Sequence, residues 1–223
     1  MEAQARSLGS VVALWRYPIK SMMGEELNAA DVTARGLWGD RAFALFDPST
    51  GKVVSAKNPR KWGALFDFRS AFVNPPRLGE SLPHVRVTLP NGKTTTSSEG
   101  DAGSILSEAL GRSVELISSA PEGPSLEDYW PDIEGLAYRE KVTDEAMPED
   151  SFFDLAVLHL LTTATLDRLR ELYPQGRFEV RRFRPNIVVE TPPNLSGFVE
   201  NDWVGRTLSL GDEVRLKVTD PCP

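Results

Sequence analysis

The chain has 223 residues, enough for one large domain or two smaller ones, and its 40% hydrophobic and 26% charged residues exclude a disordered or fibrous protein. Acidic residues outnumber basic ones by 32 to 25, and the net charge of −7 argues against nucleic acid and anionic membrane surfaces as partners. One cysteine excludes an internal disulfide framework, and with two histidines it argues against a zinc site built by this chain.

Membrane and export signals are missing from the sequence pattern. No apolar run approaches the roughly 20 residues that span a bilayer. The first residues, Met1 to Arg6, lack the apolar region of a signal peptide. We therefore expect a cytoplasmic protein.

The first half of the chain is predicted to form antiparallel strands, because apolar and β-branched runs are bounded there by Pro, Gly or Asp. The loop at 47–52 and the Asn-Gly pair within 90–93 are typical of hairpin turns. Apolar spacing predicts a helix over 101–110, with Asp101 as its N-cap and Gly111 at its end. The predicted strands lie at 11–15, 27–33, 41–46 and 84–89.

The second half combines helix and strand. Residues 119–150 are rich in Pro, Gly and acidic residues, and 118–124 is the best candidate for a boundary, so we predict domains at 1–118 and 119–223. The whole chain is therefore expected to be mainly β with some α, of the α+β class. The later elements are an apolar run at 152–161, a helix at 165–173, and strands at 186–190 and 208–218, the last interrupted at Gly211-Asp212.

Two polar clusters of the first half lie where a strand pattern begins or stops. Lys20 and Ser21 follow the strand end at Pro18, where an ammonium, a hydroxyl and backbone N–H groups suit an oxyanion, although a solvated lysine is the simpler interpretation. Arg41 follows a glycine turn and either binds a phosphate or pairs with Asp40 to hold the turn.

A basic loop at 55–61 contains Lys57, Arg60 and Lys61 in an otherwise acidic chain. By itself this pattern favours an ordinary solvated loop.

The strongest cluster leads into the very apolar strand at 186–190. Burial of that strand brings its preceding side chains to the edge of the core, where guanidinium groups need anionic partners, either protein carboxylates or a ligand. The hydroxyl run at 162–165 caps the next helix or helps its N-terminus to bind an anion. The cluster consists of Arg181, Arg182, Arg184 and Asn186.

These motifs resemble the MOSC family, named after the C-terminal domain of molybdenum-cofactor sulfurase. The first half resembles the β-barrel domain that precedes MOSC domains in the mitochondrial amidoxime-reducing component and its bacterial relatives. The resemblance implies an N-terminal antiparallel β-barrel-like domain and a C-terminal MOSC β-barrel domain that share a cleft. It rests on the order and spacing of the segments 17–21, 39–41, 160–166, 183–186 and 220–223.

The resemblance also implies a molybdenum cofactor (molybdopterin). Its phosphate and its pterin edge suit the cationic and hydroxyl side chains at the matching positions. Lys57 resembles a basic residue that relatives place facing the same cleft. No catalytic residue is assigned, and the cofactor-binding positions are Lys20, Ser21, Arg41, Lys57, Thr162, Thr163, Arg184 and Asn186.

The metal ligand departs from the family pattern. Relatives hold the metal through the second cysteine of a Pro-Cys-x-Arg-Cys segment, and Cys222 matches the first cysteine. The sequence ends at Pro223, before the Arg and the ligand, so no residue is assigned to the metal. We expect either a natural protein that continues, which a stop inside a motif favours, or a member without redox chemistry. The 223 residues alone are expected to be inactive as a reductase.

The favoured function is that of an oxidoreductase. It would reduce N-hydroxylated or related small-molecule substrates at a molybdenum centre, with electrons from a separate electron-transfer protein, because the sequence has no ferredoxin-type cysteine cluster. The alternatives are a non-catalytic carrier of the molybdenum cofactor or of sulfur, and a phosphate-binding protein on a barrel scaffold. A hydrolase is disfavoured, because both histidines lie in strand-like or apolar runs and the sequence has no Gly-x-Ser-x-Gly motif.

Overall fold

The computed structural model describes residues 7–222, which form two compact units. The first unit contains the described residues of Met1–Trp15, Glu26–Leu37 and Ala156–Pro223, and the second contains Arg16–Glu25 and Trp38–Leu155. The expectations made for Met1 to Arg6 and for Pro223 lie outside the described residues. The domain boundary after residue 118 stays a prediction.

The α+β class predicted from the sequence is confirmed, with 29% of residues in strands and 17% in helices. Closure of either half into a barrel, and the shared cleft, stay predictions. In the part of the chain that the structure describes, no helix has both the length and the apolar character needed to cross a bilayer.

The described elements are short and follow one another closely along the chain. The helices are α1 (Pro59–Trp62), α2 (Ala102–Leu110), α3 (Thr163–Leu172) and α4 (Val180–Phe183). The strands are β1 (Ser10–Arg16), β2 (Glu25–Leu27), β3 (Val32–Thr33), β4 (Gly36–Leu37), β5 (Ala44–Asp47), β6 (Lys52–Val53), β7 (Arg69–Phe72), β8 (Val85–Thr88), β9 (Thr94–Thr96), β10 (Glu115–Ile117), β11 (Ser125–Tyr129), β12 (Val142–Ala146), β13 (Leu160–Thr162), β14 (Ile187–Glu190), β15 (Thr207–Leu210) and β16 (Val214–Lys217).

The second unit is built on two three-stranded antiparallel sheets. Their strand orders are β10-β5-β6 and β7-β8-β9, so the hairpins predicted at 47–52 and 90–93 are confirmed. Alternation directs Val85 and Val87 of β8 into the core, where they lie with Leu106 of α2. The core of this unit is formed by Ile19, Met22, Leu45, Val54, Trp62, Leu65, Phe68, Val85, Val87, Leu89, Leu106 and Val114.

Helix α2 confirms the predicted span and its end. Gly111 terminates the helix in the left-handed conformation, with φ of 65°. Asp101 occupies the predicted N-cap position, but its side chain makes no capping hydrogen bond. The reason is its backbone conformation (φ −104°, ψ 3°), which differs from the extended one that places a capping side chain over the first N–H groups.

Residues 119–150 contain a regular element that the sequence pattern did not indicate. Strands β11 and β12 form an antiparallel ribbon in continuous register from Ser125↔Ala146 to Tyr129↔Val142. Only Leu126 of β11 is fully buried, so the apolar alternation that marks other strands is weak here.

The first unit is organised around β14. Its residues Ile187, Val188 and Val189 are all buried, as expected for a strand paired on both sides in a covered sheet. The sheet order is β13-β14-β1-β2, in which β13 and β14 are parallel and joined through α3, while β1 runs antiparallel to β14. The predicted hairpin at Gly211-Asp212 is confirmed by β15 and β16.

Helix α3 begins at a threonine cap, as predicted. The Thr162 hydroxyl accepts a hydrogen bond from the Thr165 N–H at 3.1 Å and donates one to the Glu200 carboxylate at 2.8 Å.

Because Thr162 is fully buried, Thr162→Val is expected to lower the free energy of unfolding by about 1–2 kcal/mol. Urea denaturation measures this change. The matched variant Thr207→Val, on an exposed position of β15, should stay within about 0.5 kcal/mol of wild type, and equal stability of both variants would contradict the capping role.

Candidate anion-binding site

Lys20 is buried and ion-paired. Its side chain is 5% exposed, so the interpretation of a solvated lysine is wrong. The Lys20 Nζ donates to the Phe152 carbonyl oxygen at 2.9 Å and pairs with Asp154 Oδ1 at 2.5 Å. Its backbone N–H donates to the carbonyl oxygen of Phe43 at 2.9 Å, directly after the bridge between Ile19 and Phe43. This isolated bridge and the backbone hydrogen bond therefore fix the point from which the ammonium extends.

Ser21 joins the Lys20 turn to the basic loop. Its backbone has φ of 66°, in the left-handed region, and its Oγ accepts a hydrogen bond from the Ala56 N–H at 3.0 Å. Ala56 precedes Lys57, so this bond holds two of the predicted cofactor-binding segments against each other.

Arg41 is held on both its backbone and its side chain. Its N–H donates to the Tyr17 carbonyl oxygen at 2.8 Å, and its guanidinium pairs with Asp40. The guanidinium also lies 4.9 Å from the ring centre of Tyr17 and 5.7 Å from that of Phe153. Asp40 Oδ1 accepts the Tyr17 N–H at 2.7 Å, so Asp40 and Arg41 do hold the turn.

The turn before Arg41 requires glycine. Gly39 has φ of 85°, and a Cβ at this position would lie 2.7 Å from the Phe72 ring. A larger residue here would clash with that ring and strain the left-handed backbone.

The basic loop is paired with acidic side chains rather than simply solvated. Lys57 Nζ lies 3.2 Å from Asp128 of the β11–β12 ribbon. Lys61 Nζ lies 2.8 Å from Asp47 and 3.4 Å from Glu127. The pairs with Asp128 and Glu127 attach the ribbon to the loop.

The charges of this region act on one another. Burial lowers the pKa of Lys20 from its ordinary value of 10.5, and Arg41 and Lys57 add to the decrease, while Asp154 opposes it without cancelling it. For Asp154, burial alone would raise the pKa, but Lys20, Lys57 and Arg41 together lower it. We call Lys20, Arg41 and Lys57 the cation cluster. Lys20 contacts Phe152 and Arg41 lies over the neighbouring ring of Phe153. The bond between Ser21 and Ala56 holds the Lys20 turn against the segment that carries Lys57.

The first unit holds the other predicted positions at two ends of the parallel strand pair. Thr162 and Thr163 lie at the carboxyl ends of the strands, where Thr163 Oγ1 accepts the Thr191 N–H at 3.1 Å. Asn186 lies before β14, where its side chain accepts from the His159 N–H and donates to the Trp15 carbonyl oxygen, both at 3.1 Å. Thr162 pairs in register with Val189, which lies three residues after Asn186. At about 3.3 Å per residue along a strand, roughly 10 Å therefore separate Asn186 from the level of the threonines.

Arg184 ends α4 in the left-handed conformation, with φ of 53°. Its neighbour Arg181 is exposed and pairs with Glu179 at 3.0 Å, so a protein carboxylate is the partner of that guanidinium. The cofactor roles of Arg184, Asn186, Thr162 and Thr163 stay predictions.

Cys222 is exposed and lies after β16, outside the assigned strands. Strand alternation therefore does not fix the direction of the Cys222 side chain. Within residues 7–222, no group of three or more His, Cys, Asp or Glu side chains is arranged to hold a metal ion.

Asp154 is the site residue that sequence reasoning missed. It lies in the apolar run predicted at 152–161, of which β13 is the regular part. An acidic residue directly after Phe152 and Phe153, both buried, is a signal for a charge that needs a partner.

The fold and the cation cluster thus define an α+β protein with a candidate anion-binding site. Comparison with protein families then gives two matches. Residues 8–72 match the MOSC N-terminal beta barrel domain, and residues 149–223 match the MOSC domain. The two matches cover more than half of the chain, which belongs to the MOSC-domain family. A search of curated proteins found no match.

The family matches contain all of the predicted cofactor-binding positions. Lys20, Ser21, Arg41 and Lys57 lie in the first match, and Thr162, Thr163, Arg184 and Asn186 lie in the second. MOSC domains are associated with molybdenum-cofactor sulfurases and with oxidoreductases.

Proposed function

We propose that this protein binds a molybdenum cofactor and acts as a cytoplasmic oxidoreductase that reduces N-hydroxylated or related small molecules. A separate electron-transfer protein would supply the electrons, since one cysteine cannot hold an iron–sulfur cluster. The observation that carries the proposal is the buried ammonium of Lys20, grouped with Arg41 and Lys57 inside the match to the MOSC N-terminal domain.

The donor set fits the phosphate of such a cofactor. Three cations and the Ser21 hydroxyl offer charge-assisted and neutral hydrogen bonds to phosphate oxygens. Arg41 is preorganised, because its backbone and guanidinium are already held by Tyr17 and Asp40. The bound molybdenum centre would supply the redox chemistry, while Lys20, Arg41 and Lys57 hold and orient its phosphate.

The proposal is tested on protein made from the full natural reading frame in a host that synthesises the cofactor. Molybdenum is measured by mass spectrometry and pterin by fluorescence after oxidation. We expect both to co-purify with the protein, and a reduced viologen dye to support reduction of an amidoxime. Absence of both molybdenum and pterin would leave only generic phosphate binding, and bound cofactor without turnover would favour the carrier.

Arg184→Ala is expected to lower the cofactor content about tenfold, the effect of losing one charge-assisted hydrogen bond, with a smaller effect on stability. Arg181→Ala is the matched control, because Arg181 is exposed and paired with Glu179. Molybdenum and pterin content after purification are the measurements. Equal contents in the two variants would reject a cofactor-binding role for Arg184.

A further inference from the structure

Each member of the cation cluster already has a carboxylate partner. Lys20 pairs with Asp154, Arg41 with Asp40 and Lys57 with Asp128. An anionic ligand that enters the cluster is therefore repelled by these carboxylates and competes with them for the positive charge.

Asp40 and Asp128 are poorly suited to leave. The Asp40 side chain is 0% exposed, and its Oδ1 accepts the Tyr17 backbone N–H, so its departure would break the turn. The Asp128 side chain is 21% exposed and belongs to β11, where residue 128 pairs in register with Thr143. The pair of Asp128 with Lys57 joins the ribbon to the basic loop, so the departure of this carboxylate would loosen that attachment.

Asp154 differs from both in exposure and in local structure. Its side chain is 43% exposed, whereas that of its partner Lys20 is 5% exposed. The residues from 147 to 155 contain neither helix nor strand. Rotation of this side chain into solvent therefore requires no loss of regular structure, and the buried rings of Phe152 and Phe153 keep the backbone in place.

The same exposures determine how a ligand reaches Lys20. Because the ammonium is buried and its carboxylate partner is half-exposed, Asp154 lies on the side from which an anion approaches. The lowered pKa of Asp154 agrees with a carboxylate that stands where three cations attract negative charge.

We propose that Asp154 is an internal counter-ion that occupies the anion position of the cation cluster and is displaced when the phosphate group of a ligand binds. This inference rests on the proposed function, since it concerns the same site. Displacement of Asp154 makes the apparent affinity for the phosphate group depend on the fraction of molecules in which the Asp154 side chain has turned away from Lys20.

The test uses inorganic phosphate as the probe, by calorimetry on cofactor-free protein at low ionic strength. Asp154→Asn is expected to bind phosphate about tenfold more tightly than wild type, as for a site that is open about one tenth of the time. Asp154→Ser is the second variant, in case the amide disturbs folding. Asp144→Asn, which removes a carboxylate paired with Lys52 and with no member of the cation cluster, should bind phosphate like wild type.

Two comparisons separate displacement from a general change of charge. Asp128→Asn also removes one negative charge beside the cluster, and its gain should be several-fold smaller than that of Asp154→Asn. In a Lys20→Met background, Asp154→Asn should give no gain, because the pair no longer exists. The proposal would be overturned if Asp128→Asn gained as much phosphate affinity as Asp154→Asn. It would also be overturned if neither Asp154 variant gained phosphate affinity. If the cofactor co-purifies with the protein but the Asp154 variants bind phosphate like wild type, only this inference is rejected. If the Asp154 variants bind phosphate more tightly but no cofactor co-purifies, only the proposed oxidoreductase function is rejected.

Discussion

Lys20→Met is expected to weaken the binding of phosphate and of the cofactor by at least about tenfold while lowering the free energy of unfolding by about 1–2 kcal/mol. The loss of affinity follows from the removal of a buried ammonium, whose hydrogen bonds to an anion are charge-assisted. The Phe152 carbonyl oxygen loses its hydrogen bond from Lys20 Nζ, which lowers stability, but two effects limit the loss. Burial already disfavours the charged lysine, as its lowered pKa shows, and the half-exposed Asp154 can be hydrated once its partner is gone.

The matched control is Lys52→Met, because Lys52 also pairs with an acidic side chain, Asp144, and lies in the same unit. Phosphate calorimetry, pterin content and urea denaturation are measured on both variants. If Lys52→Met loses as much phosphate affinity as Lys20→Met, the effect is one of overall charge. If Lys20→Met unfolds, the lysine is a structural residue and the site has been assigned wrongly.

Local turn chemistry explains why much of the fold could be predicted. The hairpins at 47–52, 90–93 and 211–212 and the end of α2 at Gly111 are set by residues that lie next to one another in sequence. Helix α3 was predicted for the same reason, since apolar spacing and a threonine cap are both local signals.

The β11–β12 ribbon could not be found in this way, because its support is polar and distant in sequence. Glu127, Asp128 and Asp144 pair with lysines of the segment 52–61, which lie from 66 to 92 positions earlier in the chain. Pairing between charges at such separations leaves no period in the sequence.

In the candidate site, too, the sequence indicates the features set by neighbouring residues and does not indicate pairs that are distant along the chain. Lys20 and Arg41 stood out because Pro18 and Gly39 mark the turns that carry them. Asp154 did not, because it pairs with Lys20 over a separation of 134 residues. Asn186 was selected for its position before an apolar strand, and the structure shows its amide joining the backbones of Trp15 and His159.

Asp47 is expected to provide the strongest acid-sensitive contribution to stability that we can assign. Burial acts to raise the pKa of Asp47, but hydrogen bonds from Lys61 and Ser49 outweigh it and lower the pKa from 3.8 to about 2. The carboxylate is buried, with Lys61 Nζ at 2.8 Å and the Ser49 N–H at 3.0 Å. A shift of this size corresponds to about 2 kcal/mol of stability at neutral pH.

The sign follows from the lower pKa of the folded state. The contribution is complete above the ordinary value of 3.8 and is lost as the pH falls toward about 2, because the folded protein must then take up the proton. Asp47→Asn should therefore cost about 2 kcal/mol at pH 7, and its difference from wild type should shrink between pH 4 and pH 3 in urea denaturation. Asp144→Asn, whose side chain is 64% exposed, should stay within about 1 kcal/mol of wild type at every pH. If the difference in free energy of unfolding between Asp47→Asn and wild type stays constant from pH 7 to pH 3, the charge of Asp47 is not what stabilises the protein. Protonation would remove a contribution from the charge, whereas it would leave a contribution from packing of the β5–β6 turn unchanged.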